Sequence, residues 1–193
     1  MRPAGRGFLG TLRAFARKET GVAAVEFALI VPLMLSVYLG CTEAAALLTA
    51  DRKVQSVAGA VGDLVARSNK TIAASQLRDY FLASTSMMAP YDASDLVQTV
   101  TAVSVDDDGI VATVLWSARY ENDDLLTTVP EHPKDSAYNL PQQMKDIAAG
   151  QTVIAVEAEY GYRPLLGLVF KEALDLNRSA LFMPRFGGTI TLN

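Results

Sequence analysis

One cysteine and one histidine are all that the 193 residues contain of the two most versatile ligand and redox side chains. Cys41 has no second cysteine with which to close a disulfide, so a disulfide framework is excluded. Cys41 and His132 lie far apart in sequence without a third ligand of their kind, which removes a Cys/His zinc site. Basic charge is also scarce beyond the first twenty residues. Arg2, Arg6, Arg13, Arg17 and Lys18 stand there against Glu19 alone, while the whole chain carries a net charge of -4. The remainder is therefore strongly acidic and would repel phosphate, which argues against nucleic acid as a partner. The length suits one ordinary domain with an appendage.

What the chain does have is one long apolar stretch, 21–48 (GVAAVEFALIVPLMLSVYLGCTEAAALL), in which Glu26 and Glu43 are the only charges. Its uncharged part, from Phe27 to Thr42, covers roughly 24 Å as a helix, short of a hydrocarbon core of about 30 Å, so the flanking turn that holds Glu26 must help fill the span. Basic charge before it and acidic character after it set the N-terminus in the cytoplasm and the body across the membrane. Three readings of such a head differ in where the chain is cut. A secretory peptidase would use Ala44-Ala45-Ala46, but the apolar core before them is long and helically patterned. A lipoprotein signal would use Cys41, but Tyr38 and Leu39 are bulky where smaller residues are wanted. A retained anchor remains.

Spacing supports the anchor. Gly21 closes the charged leader, and Val22-Ala23-Ala24-Val25-Glu26-Phe27 places a carboxylate at the fifth position beyond the glycine with an aromatic beside it. This string resembles the prepilin-peptidase site of type IV pilins. With Ala28-Leu29-Ile30-Val31-Pro32 behind it, it resembles more closely the TadE-like pseudopilins of the tight-adherence (Tad) pilus system. Tyr160-Gly161-Tyr162-Arg163-Pro164 and Met183-Pro184-Arg185 look like late strand signals of the same family. The resemblance implies a leader of residues 1–21 removed after Gly21 by a prepilin peptidase, a new terminus at Val22, and a transmembrane segment 22–48 retained in the bacterial inner membrane. It further implies an exported α+β domain, 49–193, and Glu26 and Phe27 as assembly residues toward other pilins, pseudopilins and the Tad machinery. No cofactor is implied.

Glu26 has a physical reason of its own. A carboxylate near the start of a membrane helix is costly to bury, and cutting after Gly21 frees the Val22 amine one helical turn away, where Glu26 of this or a neighbouring helix neutralises it; otherwise Glu26 sits at headgroup level and touches water. Pro32 removes a backbone donor inside the span; it either bends the helix for assembly or is an ordinary membrane proline.

Beyond the span a helical pattern continues to about Arg67, with Leu47, Val54 and Val61 seven apart and Ala50, Val57 and Leu64 seven apart. This narrow stripe is expected to pack on the protein's own sheet, because Gly59 and Gly62 weaken a free helix. A second amphipathic helix, 74–88, is expected to bury Leu77, Phe81 and Leu82 and to stop at Pro90. The period then changes. Strands are expected over 96–105 and 110–120, joined by Asp106-Asp107-Asp108-Gly109, a hairpin signal. Calcium is not expected there, because strand residues follow Gly109 directly and further oxygen ligands are missing. Next come a long loop, 121–141, with His132 solvated in it, a short helix over 142–149, and strands over 152–162 and 177–184. Leu165-Leu166-Gly167-Leu168-Val169-Phe170 is too short to span a bilayer; it is either a helix packed on the sheet edge or an exposed patch.

No nucleophile elbow or phosphate-binding glycine loop appears, so an enzyme is not expected. The fold class is α+β, type IV pilin-like, with one long anchored helix packed on a small antiparallel sheet of three or four strands. Two functions follow: a minor pseudopilin-like component of a tight-adherence pilus, or a single-span anchored periplasmic binding module that never enters a pilus.

Overall fold

The structure is a computed structural model that describes residues 20–164, 167 and 171–193. The leader up to residue 19 and the apolar residues 165, 166 and 168–170 lie outside the described residues. Helix α1, Thr20–Ala66, is a single helix of 47 residues. Two units share it: Met1–Ala45 is one, and Ala46–Asn193 is the other.

The second unit begins with the end of α1 and is followed by β1 (Thr71–Ile72), α2 (Ala74–Thr85), a single 3-10 turn (Ser86–Met88) and the strands β2 (Leu96–Val105), β3 (Ala112–Glu121) and β4 (Asp124–Leu126). Helix α3 (Gln142–Ile147) and strands β5 (Thr152–Tyr162), β6 (Leu174–Phe182) and β7 (Thr191–Leu192) complete it. The main sheet is antiparallel and runs β4-β3-β2-β5-β6, five strands where three or four were expected. The additional strand is β4, three residues inside the polar stretch 121–141. It forms because Asn122 and Asp123 both take positive φ, 50° and 62°, and fold the chain straight back on β3; this is the geometry of a two-residue hairpin turn. β6 begins at Leu174, three residues before the expected start, because its pairing with β5 continues to Leu174 opposite Tyr162. β1 and β7 form a separate parallel pair too short to carry any sequence period.

One sheet face carries the main core. Ala50, Val54, Val57, Ala58, Val61 and Val65 of α1 and Leu77 and Phe81 of α2 are fully buried against Val100, Ala102, Ala118, Ile154, Val156 and Ala158 of the sheet. The stripe on α1 thus differs from the expected rows: Ala58 and Val65 are buried while Leu64 is only partly covered. A straight helix drifts by about 20° for each seven residues, so rows spaced by seven turn off the contact face and residues one place further on take over. Leu82, which is 42 % exposed, stands about 100° around the helix from Phe81; Ser84, and Met88 in the following 3-10 turn, are buried with Leu77 and Phe81 in its place. A smaller cluster on the opposite face joins Val103, Val105, Ala112 and Val153 to Leu140 and Ala148. Between Ala102, opposite Trp116, and Val103, opposite Val114, Leu115 is the extra residue of a β-bulge, which increases the local twist.

The candidate assembly segment and the polar face of the domain

Gly21, Val22, Glu26 and Phe27 all lie within α1. Val22 and Glu26 are four residues apart, hence on one helix face about 6 Å apart along the axis. Helical side chains tilt toward the N-terminus, so the Glu26 carboxylate reaches back in the direction of Val22. Val22 is 58 % and Phe27 69 % exposed, and Glu26 is open as well. Val25, Leu29, Ile30, Leu33, Met34, Leu35, Val37 and Tyr38 are also more than half exposed. Such a surface is stable only in lipid or against other apolar helices. α1 is the one described helix long and apolar enough to cross a membrane, and its most apolar window is entirely unburied. By length and composition α1 is therefore the candidate membrane anchor among the described residues. Pro32 lies inside it, and the Ser36 hydroxyl donates to the Pro32 carbonyl at 2.8 Å; hydroxyl-to-backbone bonds of this kind accompany proline in membrane helices.

On the face of the sheet opposite α1, the loop after β4 lies across β3 and β5 and builds a polar cluster. His132 is partly buried, not solvated: its Nε2 shares a hydrogen bond of 2.9 Å with Glu157 Oε2 on β5. The Tyr138 hydroxyl donates to the other oxygen of the same carboxylate at 3.0 Å, and the two rings lie 5.0 Å apart. Burial first, and then the Glu157 charge, push the Tyr138 phenol well above its ordinary value. Beside them Arg119 faces Glu131 at 3.0 Å and Glu121 at 3.7 Å. The Glu131 carboxyl is held below its ordinary range, first by its own backbone N–H and then by Arg119.

Serine, histidine and glutamate thus come together here, but not as a nucleophile and base. Ser117 donates its hydroxyl to the backbone carbonyl of His132 at 2.7 Å, and the imidazole nitrogen that would have to take its proton is engaged by Glu157; nucleophilic catalysis needs the hydroxyl on the ring. The cluster clasps the loop to the sheet. Sequence reading missed it because 25 residues separate His132 from Glu157. The signal that was present is Glu157 itself, one of two charges, with Glu159, in the largely apolar β5 run. Among the described residues no group of three His, Cys, Asp or Glu side chains could hold a metal ion. Asp106 spends its carboxylate on the backbone N–H groups of Ile110, at 2.7 Å, and Val111, at 2.9 Å. The hairpin turn is thereby longer than expected, and strand β3 starts only at Ala112.

Residues 21–62 match the family model described as TadE-like protein. The match starts at Gly21 and takes in the whole exposed apolar part of α1, together with the first buried turns beyond it. No curated protein and no solved structure matches the chain.

Proposed function

We propose that this TadE-like chain is a minor pseudopilin-like component of a tight-adherence pilus, cleaved after Gly21 by a prepilin peptidase and held in the bacterial inner membrane by residues 22–48. In this reading the N-terminus is cytoplasmic and residues 49–193 form the exported domain. The observation that carries it is the run Gly21, Val22, Glu26, Phe27 at the head of an exposed apolar helix that continues without a break into the core of a folded domain.

The chemistry follows from the helix. Cleavage leaves an ammonium on Val22 and four N–H groups without helical acceptors, a positive end in a medium that solvates charge poorly. Glu26, one turn on, supplies the neutralising carboxylate, and it does so for its own helix or for a neighbour that packs alongside. Phe27 and the apolar face beside it provide contact area to other pilins, pseudopilins and the assembly machinery. The chain is assigned no catalytic role, no cofactor and no nucleic-acid partner.

Intact mass of the membrane-extracted protein tests the reading. The native chain should begin at Val22, and Gly21→Leu should leave the full-length precursor, because the peptidase accepts only a small residue beside the scissile bond. A reporter fused after Asn193 should be active only outside the cytoplasm. An uncut native chain would sink the proposal in favour of an anchored binding module, and a cut near Ala46 would make it a secreted protein.

A further inference from the structure

The end of the folded domain at which α1 stops carries a small aliphatic surface that neither the anchor nor the core explains. The β2–β3 turn and α3 meet there: Gln142 donates its amide to the Gly109 carbonyl at 3.1 Å, and Lys145 Nζ donates to the Ile110 carbonyl at 3.0 Å. The Gly150 N–H reaches the Asp106 carbonyl at 3.0 Å. Gly109 has a φ of 66°, and a side chain at this position would press on the Lys145 carbonyl. The turn is thus held at several points, with the N–H groups of Gly109, Ile110 and Val111 all bonded inside the loop. The turn exposes the side chains of Ile110, 66 %, and Val111, 49 %, and the end of α3 exposes Ile147, 66 %.

We infer that this surface is a docking site for a protein partner that offers an aliphatic patch ringed by lysine or arginine. A rigid turn whose backbone polar groups are already satisfied loses little entropy and strands few polar groups when covered. Three exposed carboxylates, Asp107, Asp108 and Asp146, stand in the same two segments, while the Lys145 ammonium is drawn in to the Ile110 carbonyl. The rim is therefore acidic and calls for basic complements.

Other occupants fit poorly. An anionic lipid surface would be repelled by the aspartates. A second copy would bring the same three carboxylates face to face, which costs affinity.

The inference holds whether or not Gly21 is cleaved. Its test is photo-crosslinking of the full chain in cells that assemble the pilus, with a photoreactive phenylalanine analogue in place of Ile110, of Ile147 or, as a control, of Leu82. The expected result is one discrete protein adduct from the first two positions, with the linked peptide apolar and bearing lysine or arginine. Asp107→Lys with Asp108→Lys should reduce that adduct at least tenfold at equal protein level. Ile110→Ser and Ile147→Ser, at exposed sites, should keep the unfolding midpoint of the parent and lose the adduct made from the other position. No adduct, an adduct to lipid or to a second copy, an equal adduct from Leu82, or one indifferent to the charge reversal would each overturn it.

Discussion

Replacing Gly62 by alanine sets two effects of known sign against each other, and Gly59, three residues earlier in the same helix, provides the reference. Both glycines lie in the part of α1 that packs on the sheet. A methyl group at Gly59 meets nothing within 4 Å, whereas one at Gly62 runs into the Cδ2 and Cε2 edge of the Phe182 ring. Alanine at either position gains about 0.5–1 kcal/mol from the lower backbone entropy of the unfolded chain. At Gly62 the gain is opposed by overpacking, which costs typically about 1–3 kcal/mol. The helix term is common to the two substitutions, so the gap between Gly59→Ala and Gly62→Ala measures the clash alone, about 1–3 kcal/mol. For a domain of this size each kcal/mol moves the midpoint by roughly 2–4 °C. Trp116 is the single tryptophan, and its indole N–H donates to the Ile190 carbonyl at 2.6 Å, so its fluorescence reports unfolding of this domain in detergent-solubilised protein. Gly59→Ala should melt above the parent and Gly62→Ala clearly below Gly59→Ala. Combining Gly62→Ala with Phe182→Leu should recover much of the gap as a coupling energy. Equal midpoints for the two alanine variants would mean that α1 does not sit on β6 as described.

Three further outcomes follow from other parts of the molecule. Glu26→Gln keeps size and hydrogen-bonding capacity but removes the counter-ion of the Val22 amine; it should be cleaved and inserted normally yet lose co-purification with the assembly machinery by more than tenfold, and unchanged recovery would refute the assembly role. Tyr138→Phe should cost about 1–2 kcal/mol at neutral pH, the loss of one bond to a carboxylate. The phenol is raised in the folded state, so its contribution is complete below the unfolded value of about 10 and is lost as pH rises above it; the variant should lose stability less steeply than the parent in alkaline urea titrations, and parallel curves would contradict this. Ser84→Ala strands the Oε1 of fully buried Gln98, which Ser84 serves at 2.6 Å, and should cost about 1–3 kcal/mol. Gln98→Leu leaves the Ser84 hydroxyl on the Phe81 carbonyl at 2.8 Å and should cost less; the opposite order in urea unfolding would show that the amide, not the hydroxyl, holds this contact together.

The features that the sequence alone determined are those written in neighbouring residues. The apolar run with Gly21 and Glu26, the two helices, the β2–β3 hairpin and β5 all follow from periods and punctuation a few residues long, because a helix or a strand presents its pattern locally. Pairings across the chain were decided only by the tertiary structure. His132 finds Glu157, Asp51 finds Arg178, and Gly62 finds Phe182 across separations that no local period encodes. β4 and β7, three and two residues long, have almost no pattern to read and exist because a neighbouring strand offers free backbone groups. The contact face of α1 shows the same division at finer scale: that the helix is amphipathic is a local matter, but whether Leu64 or Val65 is covered depends on how a helix of 3.6 residues per turn lies on a twisted sheet.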